Sequence, residues 1–433
     1  MLSILIVFLL LLTCVITGQP IAIGLGLSWL IFAIKARRQS KWSDIFLATW
    51  AGLKTSWVVV RTLIMIGALI GVWMASGTIA TIVNDTFSLA TPKTFLLMAF
   101  IICALVSSLI GTSFGTLSVV GVPLIIVARS GQINLDLVAG AIIAGIYVGD
   151  RCSPLSSSAS LVAAVTNTPL SNNLKTMFKT GILPFIFAST SYAWLSWRHP
   201  ISSLSTNLLT QLKTNFLIAW WQLIPAIIVL AMALLHRPLI ESILVSIVSA
   251  LLLGHFFQET GWFTMLKAMV SGFHPAGIQP VSGGGIISML SAILVVTISC
   301  GLAGVLKMTN GLHQLQETLN QKKLTPRKRF LLTSLVSFAT SGFGCNQSVA
   351  IILTNTLMQP SYQEKRSVIA ADIENTTVVI APLVPWNIAA FVPTSVLGVG
   401  FANYLPYALF LWLVPLCSFL WHKKYQTKIA NSL

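Results

Sequence analysis

The sequence predicts an all-α, polytopic membrane protein with about 10–12 transmembrane segments, some broken or re-entrant. Three observations predict it. Of 433 residues, 55% are hydrophobic and only 8% charged, whereas a soluble domain carries about 25% charged residues. Apolar runs recur along the whole chain. Stretches rich in Gly, Ser, Thr, Pro and Asn interrupt them at matching places in two halves, the pattern of a duplicated fold with broken helices.

The expected helices are 2–17, 20–36, 57–80, 94–110, 135–149, 176–197, 214–235, 238–256, 284–306, 329–342, 366–380 and 404–421. The N-terminal "MLSILIVFLLLLTCVITG" has no basic n-region and runs straight into further apolar sequence, so it reads as a first spanning helix and not a signal peptide. Several expected helices fall short of the roughly 20 apolar residues a span needs. The shorter ones border the polar stretches 111–122, 150–160, 342–348 and 374–387. "WSDIFLATWAGLKTSW" and "GWFTMLKAMVSGF" read as interfacial amphipathic segments.

The net charge of +16 sits in short connecting segments: Lys35, Arg37, Arg38 and Lys41, then Lys322, Lys323, Arg327, Lys328 and Arg329, then "HKKYQTK". This is the positive-inside pattern. No soluble module offers the basic face that nucleic acid would need. The six cysteines and six histidines are scattered, with no C-x-x-C pair, so disulfides, a resident metal and cofactors are not expected. The polypeptide's expected surroundings are membrane lipid. A homodimer is compatible with the sequence.

Three ordered matches, roughly 220–235 residues apart, suggest duplication within a single domain spanning 1–433. The stretch from "WSDIF" to "SGTI" resembles "GWFTMLKAMVSGFHP" followed after a short gap by "GGIISMLSAILVVTISCGLAGVL". "LIGTSFGTLSVVGVPLIIV" resembles "TSGFGCNQSVAIILTNTLM". "YVGDRCSPLSSSASLVAAV" parallels "ADIENTTVVIAPLVPWNIAAF". Basic "KARRQSK" corresponds to "HFFQETG", which has no Lys or Arg, while "VNDTFSLATPK", with one Lys, corresponds to "LNQKKLTPRKR", with five basic residues. The charge bias flips at both places, so repeats over 20–200 and 236–421 are expected to have opposite orientation.

Ten acidic residues are present, and three border the broken stretches: Asp150, Asp372 and Glu374. A carboxylate at membrane depth costs about 2.5–3.5 kcal/mol on the insertion scale, and one that can exchange a proton for a metal cation suffices for cation/proton antiport. Asp150 either does this or pairs with Arg151 at a wet helix end. Asp372 lies two residues from Glu374 and faces another side of any helix. Oxygen donors suited to a hard cation are Ser153, Ser156, Ser157, Ser158, Asn375 and Thr376; each hydroxyl could equally satisfy backbone or permit close helix packing. Pro154, Pro382 and Pro385 free carbonyls one turn earlier. Thr112 and Ser113 in "GTSFGT", Asn346 and Gln347 in "GFGCNQS", and Asn387 are expected to line the site. Trp386 reads either as a packed anchor or as a gate.

"GDRCSPLS" followed by "APLVPWN" resembles the NhaC family of sodium/proton antiporters. The family's pattern is G-D-x-x-S-P-L-S-D-T-T, then E-D-S-G-T and S-P-L-I-P-W-N; "GTSFGT", "YLPYALF" and the "GGIISML" helix are also similar, over about residues 20–420. The resemblance implies an inverted-repeat ion-transporter fold with re-entrant hairpins. It implies Na⁺ and H⁺ as transported partners, alternating access and a bacterial inner membrane; with no metal-ligand pattern, no phosphate-binding Gly loop, no soluble domain and no strand-turn-helix G-x-S-x-G, an enzyme is not expected. Asp150 and Glu374 match the pattern, whereas Ser157 and Asn375 stand where it has aspartates. Fewer anionic ligands imply weaker Na⁺ binding or altered coupling. The alternative is a cation- or proton-coupled exchanger of a small organic acid or amino acid, for which Arg151 is the obvious cationic candidate.

Overall fold

The computed structural model describes residues 2–89, 91, 93–200, 206–275, 282–308, 324–362 and 365–421. Lys322, Lys323, Glu317, Glu364 and the basic tail "HKKYQTK" lie outside them. Among the described residues the chain is helical, with no strand and a lone antiparallel bridge between Phe273 and Gly283. Helices satisfy their own backbone polar groups, which is what a lipid surround demands. Four described helices are long and apolar enough to cross a membrane, or six if each of two bent pairs is one span. The other expected segments are shorter, broken or more polar.

Helices α1 (Leu2–Thr17) and α2 (Ile21–Arg37) pack together and lead into α3 (Trp42–Ala75). The separate interfacial piece expected over 42–57 is instead the first half of this 34-residue helix. The Lys41 backbone N–H donates to Asp44 Oδ2 at 3.2 Å to start it, and no proline interrupts it. Gly52 does not break it because it is buried in a close helix contact: a Cβ there would lie 2.2 Å from the Cys300 carbonyl oxygen. The helix stops at Ser76 and Gly77.

Helices α4 (Thr78–Leu89), α5 (Phe95–Ile110) and α6 (Ser113–Ser130) follow. The interruption expected over 111–122 is a break at Gly111 and Thr112 and a π-helical turn over Leu117–Gly121 inside α6. Gly111 adopts φ +75°, and the Thr112 hydroxyl accepts from the Gly115 N–H at 3.2 Å to restart the helix. Helix α7 (Leu135–Cys152) breaks at 153–156 before α8 (Ser157–Thr166), and α9 (Leu170–Arg198) returns. Apolar Phe178, Ile182 and Ile186 recur one turn apart on α9 and are exposed, as a lipid-facing stripe should be.

Next come α10 (Thr206–Asn215), α11 (Trp220–Leu234), α12 (Leu239–Phe257), α13 (Trp262–Ser271) and α14 (Ile286–Leu306). The helix expected from 214 begins only at Trp220, with Pro225 in its first turns. The α13–α14 stretch, which sequence comparison pairs with α3, is split where Gly272, Gly283, Gly284 and Gly285 all take positive φ. Helix α14 runs antiparallel to α3, since Gly304 meets Ala48, Gly52 meets Cys300 and Gly67 meets Gly285.

The last helices are α15 (Pro326–Gly344), α16 (Gln347–Met358), α17 (Arg366–Asn375), α18 (Ile388–Leu397) and α19 (Leu409–Leu420). The helix expected over 366–380 breaks at Thr376 (φ −123°, ψ −76°). That expected over 404–421 is a short segment, Phe401–Tyr407, bent 52° against α19. Helices α8, α16 and α18 are too short and too polar-flanked to stand out in the sequence. A large apolar core joins α3 to α7 with α9 and α19, around Trp73, Phe100, Tyr147, Tyr192 and Phe410.

Candidate functional site

Four local breaks converge. Two are hairpins. Gly111–Thr112 links α5 to α6, and Cys345–Asn346 links α15 to α16. Gly111 and Cys345 both sit in the left-handed region, and Thr112 and Asn346 both accept a hydrogen bond from the backbone of the helix they start. Two are chain breaks before a new helix. Ser156 accepts from the Ala159 N–H to start α8, and Asn387 accepts from the Ala389 N–H to start α18. The short polar side chains at these four positions are there because each restarted helix leaves backbone donors unpaired.

Each hairpin is tied to one break. The Ser153 hydroxyl donates to the Ser108 carbonyl at 2.8 Å, and Gly149 packs so closely on α5 that a Cβ would lie 2.0 Å from the Ser107 carbonyl carbon. On the other side, Trp386 Nε1 donates to the Gly342 carbonyl at 2.7 Å, Asn387 Nδ2 to the Ser341 carbonyl at 2.8 Å, and the Ile388 N–H to the Cys345 carbonyl at 2.9 Å. The two halves meet across the centre, where Tyr147 donates to the Ala389 carbonyl at 2.7 Å and Gln347 Nε2 donates both to Asp150 Oδ2 (3.2 Å) and to the Val378 carbonyl (3.1 Å).

Asp150 stands at this meeting point and is buried. Its Oδ2 accepts from Ser158 at 3.3 Å and from Gln347, and the Ser113 backbone faces the same carboxylate. Ser156 and Ser158 both donate to its backbone carbonyl. All these partners are neutral. The alternative of an Asp150–Arg151 pair at a wet helix end does not hold: Arg151 is fully buried, and none of its hydrogen bonds goes to a carboxylate. Its guanidinium donates to the Glu374 carbonyl (3.2 Å), the Met177 carbonyl (3.1 Å), the Thr180 hydroxyl (2.7 Å) and Asn375 Oδ1, and makes a 3.5 Å contact with Cys152 Sγ.

Glu374 is fully buried, and neither of its carboxyl oxygens has a hydrogen-bond partner among the described residues. It lies within electrostatic range of Arg151 and Asp150. An unpartnered buried carboxyl is costly, so its place in the centre of the site is the strongest chemical signal in the molecule.

The remaining expected residues divide. Ser113 lies inside, Gln347 bridges, and Ser158 holds Asp150. Asn375 is in the cluster, but its oxygen is taken by Arg151 and by Thr180 at 3.1 Å. Thr376 is buried at the α17 break, donates to the Asp372 carbonyl at 2.6 Å and accepts from Ser337 at 3.0 Å. Ser157 and Pro154 are exposed and stand apart, because Ser156 and Ser158 are the inward residues of that turn. Pro385 is buried beside Trp386. Trp386 is a packed anchor, edge-on to Phe8 at 5.5 Å. Asp372 faces a separate cluster, accepting from Tyr362 at 2.8 Å, with Thr333 on Tyr362 and Arg329 over its ring. Tyr147 could have been found from its place three residues before Asp150 on the same helix face; Thr180 could not, since it meets Asn375 only through the fold.

A polytopic helical membrane protein with two hairpins and two broken helices around buried carboxyls is a membrane transporter in architecture. A family model described as the Na⁺/H⁺ antiporter family matches residues 145–421, and the chain belongs to that family. The NhaC resemblance read from the sequence is borne out. The chain is similar to the malate-2H⁺/Na⁺-lactate antiporter of Bacillus subtilis (strain 168), 28% identical over 96% of this chain and 93% of the relative. It is also similar to the Na⁺/H⁺ antiporter NhaC of Alkalihalophilus pseudofirmus, 27% identical over 88% and 84% respectively. Among solved structures, Neisseria gonorrhoeae MtrF, described as one of a class of antimetabolite efflux pumps, aligns with a TM-score of 0.43 and 14% identity. That alignment covers 87% of this chain and 84% of that one.

Proposed function

We propose that this protein exchanges Na⁺ (or Li⁺) for H⁺ across a bacterial inner membrane by alternating access of one central site. Asp150 and Glu374 take a proton and a cation in turn, while Ser153, Ser156, Ser158, Thr376 and freed backbone carbonyls supply neutral oxygens. The unpartnered carboxyl of buried Glu374 carries this reading: a group of this kind is stable only if something binds it, and a proton or a hard cation is what a carboxyl in a neutral-oxygen cluster binds best. Arg151 stays in place as a fixed positive charge, because its donors are occupied by carbonyl and amide oxygens. The paired hairpins and breaks support the further proposal that 20–200 and 236–421 are inverted repeats, so that rocking one against the other exposes the centre to each side. The test is cation-dependent dissipation of a pH gradient in proteoliposomes, with Na⁺, Li⁺ and K⁺ added in turn. A Na⁺ or Li⁺ response is expected, and none from folded protein would overturn the reading.

A second reading is favoured by the relative that matches 96% of this chain, whose name gives it a malate and lactate exchange. On this reading the cation or proton drives exchange of a small organic acid or amino acid. Arg151 is a poor ligand for such an anion, because its donors are already spent on the protein. Counterflow of labelled malate or lactate distinguishes the readings directly.

A further inference from the structure

A cavity of about 240 Å³ lies behind the first hairpin, between Thr112, Leu155 and the turn that joins α11 to α12. Its polar lining is Thr112, His236, Arg237 and Ser242, and no carboxylate lines it among the described residues. Glu241, in the same helical turn as Ser242, is not part of the wall. The turn closes tightly, with the Arg237 N–H on the Met232 carbonyl and the His236 N–H on the Ala233 carbonyl, both at 2.9 Å. It holds His236 in the left-handed region at φ +57°, a conformation uncommon for a residue with a Cβ, and so sets two consecutive nitrogen-bearing side chains at the cavity mouth. The other walls, Ile110, Val229, Ala233 and Leu239, are apolar.

We propose that this cavity binds a small organic carboxylate, and that it is a second site, distinct from the cation site. An anion among Arg237, His236 and the Thr112 hydroxyl finds charge and donors, with apolar walls for a short carbon skeleton, while the Ser242 hydroxyl is spent on the Pro238 carbonyl at 3.1 Å. The position gives it a route to the exchange chemistry. Thr112 borders the cavity and the next residue, Ser113, faces Asp150, so occupancy on one side of the hairpin tip bears on the carboxylate on the other. A site here also resolves the difficulty that Arg151 is unavailable to an anion.

The test uses the full-length protein in nanodiscs of zwitterionic lipid, titrated calorimetrically with acetate, lactate and malate. One saturable site is expected. Arg237→Gln should weaken it at least tenfold and Arg237→Lys should restore part of it. His236→Gly, which keeps the left-handed backbone, should weaken it while leaving the unfolding midpoint unchanged. Glu374→Gln should leave carboxylate binding intact, so failure of the cation reading and failure of this one are told apart. Binding unaffected by Arg237→Gln, or no binding of any carboxylate by folded protein, would overturn the proposal. Abolition of binding by added phosphatidylglycerol would also overturn it, by assigning the cavity to anionic lipid headgroups.

Discussion

Arg151 holds Glu374 by its backbone and not by a hydrogen bond to its carboxyl: the guanidinium Nε donates to the Glu374 carbonyl at 3.2 Å, while both oxygens of the Glu374 carboxyl are without a hydrogen-bond partner among the described residues. The arginine therefore fixes where α17 ends and sets a permanent positive charge nearby, yet leaves the carboxyl free to bind a proton or a cation. This separation of anchoring from binding distinguishes the roles of the two residues and makes them separately testable.

Removing Arg151 should be a folding defect first. Arg151→Gln strands several buried acceptors, each costing about 1–3 kcal/mol when left unsatisfied. A lowered unfolding midpoint in detergent is expected. Arg151→Lys should rescue it only in part, since an ammonium cannot reach Met177, Thr180, Asn375 and Glu374 together in the planar fork that guanidinium provides.

The two positions where family aspartates are replaced should respond differently. Asn375→Asp places a carboxylate in hydrogen-bond contact with Arg151 and beside Glu374, and added negative charge among these buried residues should raise apparent Na⁺ affinity by roughly three- to tenfold. Ser157→Asp places its charge on an exposed residue and should leave the affinity within about twofold. Exchange rates measured against Na⁺ concentration check both; an equal response at the two positions would contradict the geometry.

Gln347 should be required for the two hairpins to act together. It is the side chain that links Asp150 to the Val378 carbonyl. Gln347→Leu removes both bonds with little change in volume, and a cost of about 1–3 kcal/mol is expected. Exchange should fall while the protein remains in the membrane, as a proteoliposome assay normalised to reconstituted protein would show.

Trp386 and Asp372 should behave as structural residues. Trp386→Phe loses the bond to the Gly342 carbonyl but keeps an aromatic ring near Phe8; a loss of about 1 kcal/mol of stability with exchange retained is expected. Asp372→Asn keeps an acceptor for Tyr362 and should likewise retain exchange. Loss of exchange in either, with stability unchanged, would move that residue into the site.

The membrane class, the broken segments and the two central carboxyls were legible in the sequence because lipid burial makes polar residues conspicuous. Asp150 and Glu374 stood out against apolar neighbours, and "SPLS" and "VPWN" could not continue a helix. What could not be read was direction. Ser156, Ser157 and Ser158 are equivalent as letters, and only the turn into α8 decides that the first and third face Asp150 while the second is exposed. The role of Arg151 was hidden for a similar reason: adjacency to Asp150 in sequence suggested an ion pair, whereas helix geometry points neighbours apart, toward partners on α9 and α17 that lie far along the chain. Length misled at α3, where an amphipathic first half and an apolar second half read as two elements although nothing between them breaks the helix.

The central claim is that the Glu374 carboxyl exchanges a proton for a cation. Its most direct test is Na⁺-driven dissipation of a pH gradient in proteoliposomes, comparing the native protein with Glu374→Gln at matched reconstitution. The account predicts a Na⁺ response in the native protein and its loss in the variant, with the unfolding midpoint maintained or raised because an unpartnered carboxyl is replaced by a neutral amide. Near-native exchange in Glu374→Gln would contradict it.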